Sequence, residues 1–404
     1  MRILFLTQWF QPEDMYKGLP FAKELLKKGH DVEVLTGFPN YPSGKVYEGY
    51  KLSFYYSEII DQIKINRTFL YPSHNKSTIK RIINYLSFGF SSFFFALFFK
   101  KNFDIIYVYN LVTLIPTALL LRKKSNAKIV LDVQDLWPES VQSSGMMKSN
   151  FLLKLLLRFS NFAYKKSDYL TVLSNGFKKK LIEREINPEK ISVIMNWSDT
   201  NYKIKKIKPV DINPIFENNN NSFKIVFAGT MGIYQGIDTI IDSAKKLRLK
   251  DINFYFIGSG VEVDKLKGKV IKMNLSNIFF GNYIPRNKIG NIFEWSDALI
   301  VHLVSNPLFK ITIPSKTQSY MSAGKPILMG VQGDSSDLII NANCGLCFES
   351  GNSKDLSDKI IELYEMDKSK LHKMGLNGKE YYENNLSMKI GIDRFNKLFN
   401  EIIK

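Results

Sequence analysis

Hydrophobic and polar positions along this chain change their period repeatedly. Short runs rich in β-branched and aromatic residues alternate with stretches in which apolar residues recur every three or four positions. The first half predicts strands at Arg2–Thr7, Asp31–Thr36, Asp104–Tyr109, Lys128–Val133, Asp168–Leu173 and Lys190–Met195. Helices are predicted between them, notably Phe21–Lys28, which Gly29 can terminate, and Phe151–Lys166. Alternation restarts at Phe223–Ala228 and runs through Asn253–Ile257, Asn277–Phe280, Asp297–Leu303, Pro326–Met329 and Gly345–Phe348. Helical patterns at Asp355–Glu365, Lys368–Asn384 and Met388–Ile403 close the chain. Such alternation predicts an α/β protein with parallel sheets covered on both faces.

Asn196–Asn221 interrupts the pattern. It carries Pro209, Pro214, four Lys within Lys203–Lys208 and the run Asn218–Asn221, which reads as a linker. The predicted organisation is a first domain over 1–196, a linker over 197–222 and a second domain over 223–385. A final helix over 386–404 is expected to return to the first domain. A chain of 404 residues suits two domains of ordinary size.

Charge sharpens this division. The chain has 56 Lys+Arg against 38 Asp+Glu, a formal net charge of +18. Residues 1–210 hold 32 and 17 of these, and residues 211–404 hold 24 and 21, so +15 of the surplus lies in the first half. A half that meets something anionic is implied. The basic residues are dispersed among apolar and acidic ones and form no nucleic-acid module, so no nucleic acid is expected as partner. Leu86–Phe99 (LSFGFSSFFFALFF) is the most apolar stretch, and its fourteen residues fall short of the ~20 that span a bilayer. It reads as a helix buried between two strands. The sharper alternative is a helix presenting Phe to a membrane surface, with Lys76, Lys80, Arg81, Lys100 and Lys101 meeting anionic head groups. One helix can satisfy both.

Two cysteines, Cys344 and Cys347, are too few for a disulfide scaffold and lack a second pair for zinc, so a buried structural pair is expected. Met1 leads directly into RILFLT without an apolar signal core, which points to a cytoplasmic location.

Several ordered segments carry a resemblance. They are GHDVEVLTGFPNYPSGKVYEGY at Gly29–Tyr50, DVQDLWPES at Asp132–Ser140, FAGTMGIYQGIDTII at Phe227–Ile241, IPSKTQSYMSAGKPIL at Ile313–Leu328 and CGLCFESG at Cys344–Gly351. In this order the chain resembles the GT-B glycosyltransferases of retaining family 4, above all bacterial transferases of O-antigen and capsule assembly that handle N-acetyl-L-fucosamine. The resemblance implies two Rossmann-like parallel-sheet domains facing each other across a cleft. It implies a UDP-sugar donor on the second domain and a polyprenyl-diphosphate-linked saccharide acceptor on the first, at the inner face of the plasma membrane, to which the enzyme binds peripherally. No cofactor is expected, since the UDP-sugar is a substrate. Retention in this family is explained by same-face attack, in which the leaving phosphate takes the acceptor's proton.

The chemistry needs cations or backbone N–H groups for the departing diphosphate. No Asp-x-Asp clamp is present, so no metal is expected. Gly229, Gly232 and Gly236, with Thr230 and Gln235 among them, form a loop ahead of a helix. Such a loop can offer N–H groups to phosphate, or merely turn tightly. Family 4 commonly carries Arg and Lys where this chain has Thr230 and Gln235, and a Glu pair where it has Ile311 and Ser319. The replacement cation is read as Lys316, after Ser315 at a helix start, with Lys310 as a second; either is otherwise a surface Lys. Tyr283 and Ile284 match the base-binding region, with Arg286 nearby. On the acceptor side, Asp135 and Glu139 are the candidate catalytic carboxylates, Asp135 being otherwise a loop or capping residue. Lys17, Gly18, Asn40 and Tyr41 are the candidate acceptor contacts. Other sugars from GDP or UDP in exopolysaccharide synthesis, or UDP-sugar 2-epimerisation, fit the same architecture.

Overall fold

The computed structural model describes residues 1–15, 17–73, 77–143, 145, 147, 149–198, 207–216 and 221–403. The chain forms two units, Met1–Met195 with Gly391–Lys404, and Asn196–Ile390.

Unit 1 runs β1 (Arg2–Leu6), α1 (Leu19–Lys27), β2 (Asp31–Gly37), β3 (Tyr55–Ile60), β4 (Ile63–Thr68), α2 (Thr78–Phe98), β5 (Ile105–Tyr109), α3 (Ile115–Ser125) and β6 (Lys128–Val133). It continues with α4 (Glu139–Ser143), α5 (Asn150–Lys166), β7 (Tyr169–Val172), α6 (Asn175–Glu183) and β8 (Ile191–Val193). The sheet order is β3-β4-β2-β1-β5-β6-β7-β8. Every neighbouring pair is parallel except β3 and β4, an edge hairpin that the apolar pattern does not predict. Ile3–Leu6 and Ile105–Val108 are sealed from solvent, as expected of strands covered on both faces. The order reverses between β1 and β5. Ligands of open α/β sheets gather beyond the carboxyl ends of the strands at such a switch point.

The Met388–Ile403 helix lays Phe395 and Phe399 on this unit. Phe395 meets Phe21 at 5.2 Å and Tyr107 at 5.6 Å between ring centroids, and Lys28 pairs with Asp393 at 2.6 Å.

The apolar segment is longer than Leu86–Phe99. Ser77 caps α2, its side chain accepting from the Lys80 N–H, and the helix extends for 21 residues, long and apolar enough to cross a membrane by length and composition. One face, Asn84, Phe88, Ser92 and Ala96, is buried, and Ser92 Oγ bonds Thr117 Oγ1 of α3 at 3.0 Å. The opposite stripe, Ile79, Ile83, Leu86, Phe90, Phe94 and Phe98, is exposed. Packing inward and presenting Phe outward therefore coexist in one helix. Lys76 lies outside the described residues. Lys101 is engaged by Asp31 and Glu33, and Lys100 and Lys80 are exposed.

Unit 2 contains β9 (Phe223–Ala228), β10 (Ile252–Ile257), β11 (Ile278–Gly281), β12 (Ala298–His302), β13 (Ile327–Gly330) and β14 (Gly345–Cys347). Its order, β11-β10-β9-β12-β13-β14, is all parallel and reverses between β9 and β12. This is the doubly wound nucleotide-binding arrangement. Ile237, Ile240, Ile241 and Ala244 of the Ile237–Lys246 helix seal one face of the sheet.

Of the segment read as linker, Lys203, Lys205, Lys206 and Asn218–Asn220 lie outside the described residues. Its later part is built into unit 2: Phe216 is buried against Tyr255 and Trp295, with ring centroids 5.8 and 5.0 Å away. Cys344 and Cys347 are free thiols. Burial pushes them up to about 12 and about 11, which keeps both as inert thiols.

Candidate active site

At the switch point of unit 2, β9 and β10 end so close together that side chains are excluded. A Cβ on Gly258 would stand 2.0 Å from the Gly229 carbonyl oxygen. The loop after Gly229 then crosses to β12. His302 Nε2 accepts from the Gly351 N–H at 3.1 Å, so Nδ1 carries the ring proton and donates to the Gln235 carbonyl at 2.8 Å. Burial holds His302 below the usual imidazole range, which favours this neutral form. Gly236, at φ +56°, passes the ring where a Cβ would come within 2.6 Å of Cε1. The Val304 N–H donates to the Tyr234 carbonyl at 2.9 Å. Gln235 is thereby fixed in place.

Lys316 is the second residue of the Ser315–Ser322 helix. Its Nζ donates to Gln235 Oε1 at 2.8 Å and lies 3.8 Å from the Phe227 ring centroid. A Cβ on Gly229 would be 3.4 Å from that nitrogen. Among the described residues no carboxylate pairs with it, and loss of solvent lowers its ammonium to about 7. Gly229, Gln235, Gly236 and Lys316 thus converge at the end of β9. Thr230 is exposed beside them, and Gly232 faces open space. Ser315 is exposed at the helix start, and Lys310 is exposed at the end of the Pro307–Lys310 helix. Tyr283 is exposed, whereas Ile284 is buried. Ser319, at one of the positions where a Glu was missing, bonds Ser198 Oγ at 3.1 Å.

In unit 1 one expectation is corrected. Lys17 is fully buried and pairs with Asp132 at 2.6 Å; Thr171 Oγ1 donates to the other Asp132 oxygen at 2.8 Å, and Tyr107 OH also donates to this carboxylate. Phe395 covers the ammonium, 4.9 Å away. Lys17 is therefore a core residue and not an acceptor contact. Glu139 is held by the Arg184 guanidinium, which also donates to the Trp137 carbonyl at 2.8 Å, and its carboxylate stays partly exposed at the start of α4. Gly18 begins α1, where a Cβ would come within 3.1 Å of the Met15 carbonyl.

Asp135 stays available. It follows β6, accepts from Asn110 Nδ2 at 3.3 Å and lines a groove of about 900 Å³ with Trp9, Asn110 and Trp137, which follow the carboxyl ends of β1, β5 and β6. The carboxylate is reachable from the groove, yet protein crowds it elsewhere, and this desolvation holds it above the ordinary carboxylate range. Asn40 is buried, its Nδ2 bonding the Phe38 carbonyl, while Tyr41 packs edge-on to Trp9 with centroids 6.3 Å apart.

Glu13 is a residue that sequence reasoning missed. Its carboxylate accepts from the Phe10, Asn40 and Tyr41 N–H groups at 3.1, 2.8 and 2.7 Å and so fixes the Asn40–Tyr41 loop. Burial nevertheless raises it to about 7. Only its place in the first strand–helix connection could have drawn notice.

Residues 20–202 match the model of Glycosyltransferase Family 4, and residues 211–381 that of Glycosyl transferases group 1. The chain is similar to an Escherichia coli (strain K12) protein named as a colanic acid biosynthesis glycosyl transferase, 25% identical over 337 residues, 80% of this chain and 82% of that one. It is equally similar to a Pseudomonas aeruginosa protein named as glycosyltransferase WbjE, 25% identical over 342 residues, covering 81% and 82%. Among solved structures, Anabaena Alr3699/HepE in complex with UDP aligns over 99% of this chain and 100% of its own, with TM-score 0.71 and 15% identity. The Escherichia coli structure titled as trehalose-6-phosphate bound with UDP-2-fluoro glucose aligns over 99% of both chains, with TM-score 0.74 and 11% identity. Both family models together span the two units: the chain belongs to the GT4-type glycosyltransferases and has their GT-B fold.

Proposed function

We propose that this glycosyltransferase moves a sugar from UDP, bound by unit 2, to a polyprenyl-diphosphate-linked saccharide, bound by unit 1, with retention and without a metal. The observation that carries the donor side is Lys316, a desolvated ammonium with an amide oxygen and an aromatic face for company and no carboxylate partner among the described residues. Such a cation gains most from an anion arriving with a ligand. The UDP and UDP-glucose complexes of Anabaena Alr3699/HepE, which shares the fold, support a nucleotide diphosphate as that anion.

In the proposed reaction the bond between the anomeric carbon and the β-phosphate oxygen breaks as the acceptor hydroxyl bonds to that carbon from the same face. The leaving phosphate oxygen takes the hydroxyl proton. Lys316 and the N–H groups of the Gly229–Gly236 loop stabilise the charge that develops on UDP. Asp135 orients the acceptor. Lys310 is a second, outer cation for the diphosphate.

The ordered segments quoted above support an N-acetylated deoxy-sugar, with N-acetyl-L-fucosamine the first to test. The colanic acid named for one relative supports a surface polysaccharide such as O-antigen, capsule or exopolysaccharide as the product. The exposed Phe stripe of α2 and the basic surplus of the first half support peripheral binding to the inner face of the plasma membrane. A donor screen tests the reading. Purified protein is mixed with short-chain prenyl-diphosphate-N-acetylglucosamine and a panel of UDP-, GDP- and dTDP-sugars. Transfer from UDP-N-acetyl-L-fucosamine is expected. Transfer from GDP-mannose alone overturns the amino-sugar and UDP assignment, and epimerised UDP-sugar without acceptor overturns the transfer reaction.

A further inference from the structure

The groove that Asp135 lines is apolar along most of its length and polar at a few points. Helices α2 and α5 supply Leu86, Phe90, Phe94, Leu152, Leu155 and Phe159 to its walls. Several of these stay exposed in the folded chain, Phe90 at 71% and Leu155 at 56%. A soluble protein does not leave two adjacent helices with bare apolar faces unless something covers them. Its volume of about 900 Å³ is at the upper end of small-molecule sites.

The polar points are unusual in a second way. Arg81, Asn110 and Thr113 all line this groove, and Arg81 Nε, Asn110 Oδ1 and Thr113 Oγ1 are buried without a hydrogen-bond partner among the described residues. Among the described residues Arg81 is the one base in the lining and Asp135 the one acid, and the Arg81 guanidinium forms no ion pair with any of them. Buried polar atoms without partners carry a cost that a ligand can remove. A guanidinium suits a phosphate, which it can grip with two parallel N–H bonds. Asn84 fixes α2 for this purpose: it accepts from Gln8 Nε2 at 2.5 Å and donates to the Tyr71 carbonyl at 2.7 Å, so Arg81, one turn earlier, is held beside the carboxyl end of β1.

We infer that the α2–α5 groove binds the first isoprene units of a prenyl diphosphate, with Arg81 on the phosphates and the apolar walls around the chain. This rests on the proposed lipid-linked acceptor and assigns its lipid end a place inside unit 1 rather than only on the surrounding membrane. The groove holds a segment of such a chain, and the rest continues along the exposed stripe of α2. Trp9 and Trp137, both in the lining, report its occupancy.

Tryptophan fluorescence of the full chain is titrated, without detergent, with farnesyl diphosphate, methyl diphosphate, farnesol and dihexanoyl-phosphatidylglycerol. Farnesyl diphosphate is expected to bind at least tenfold more tightly than each of the others. Arg81→Gln is expected to reduce it to the level of farnesol, and Leu155→Arg, on an exposed wall position, to abolish quenching by both. UDP affinity and thermal midpoint serve as fold controls in both variants. Equal binding of dihexanoyl-phosphatidylglycerol assigns the groove to bilayer lipid and overturns the inference. So does unchanged farnesyl diphosphate binding by Arg81→Gln, or its absence while UDP still binds. If farnesyl diphosphate binds and UDP does not, the donor reading fails and the groove assignment stands.

Discussion

Lys316 Nζ donates to Gln235 Oε1 at 2.8 Å, a neutral partner for a buried cation. The ammonium is lowered from 10.5 to about 7, so between pH 7 and 10.5 the native state binds fewer protons than the unfolded chain. Stability linked to this group therefore rises with pH across that window, and the penalty is fully present below pH 7. A diphosphate restores the charge, so UDP binding is expected to take up protons and to weaken as pH rises from 7 to 9. Calorimetry in two buffers of different ionisation heat checks the uptake. Lys316→Met is expected to lower UDP affinity at least tenfold, about 1.4 kcal/mol, and to flatten the pH dependence of unfolding.

Asp135 is expected to act on the acceptor rather than the donor. Asp135→Asn should raise the acceptor KM at least tenfold and leave UDP affinity unchanged, which steady-state kinetics and calorimetry separate. Because its carboxyl is held above the ordinary range, the acidic limb of the rate profile should lie above pH 3.8 in the parent and disappear in the variant.

Lys17 and Asp132 are a core pair and should couple strongly. Lys17→Met leaves a buried carboxylate without its counter-ion and is expected to cost about 3–5 kcal/mol. Lys17→Met with Asp132→Asn should recover much of that loss. Denaturant unfolding of the four proteins measures the coupling.

Glu13 should produce the opposite pH signature from Lys316. Its carboxyl rises from 4.5 to about 7, so its contribution is fully present below pH 4.5 and is lost as pH climbs through 7. In Glu13→Gln the thermal midpoint should change less between pH 5 and 7 than in the parent, read by circular dichroism.

Membrane binding should depend on the outward stripe of α2. The triple substitution Phe90→Ser, Phe94→Ser and Phe98→Ser should cut co-sedimentation with anionic vesicles at least tenfold, since each exposed ring can bury roughly 1.5–3 kcal/mol worth of surface. The thermal midpoint should not fall, because all three rings are exposed in the folded chain. Raising the salt concentration should weaken what remains.

The alternation of strand and helix was legible because burial on both faces demands near-continuous apolar strands. The β3–β4 hairpin was not, since β3 alternates weakly and its turn uses Asp61 and Gln62, both at positive φ, where Asn-Gly would have signalled it. The first two turns of α2 were hidden by polar residues, so the helix read seven residues too short. The position of Lys316 in the first turn of a helix was legible from Pro314 and Ser315 ahead of it. Lys17 was misread because its partner lies 115 residues away and nothing local marks a lysine as core. The Glu139–Arg184 pair was hidden for the same reason, its members being 45 residues apart. The groove depends on two helices that meet only after folding.

The helix that bears Phe395 and Phe399 has a bearing on synthesis. Unit 1 needs those rings against Phe21 and Tyr107, yet they leave the ribosome only after all of unit 2. During translation the first 195 residues must therefore wait with an unfilled apolar seam, while unit 2 is free to fold at once. The nascent first unit is therefore expected to be the species that needs protection from aggregation, and removing the last helix should leave that seam unfilled.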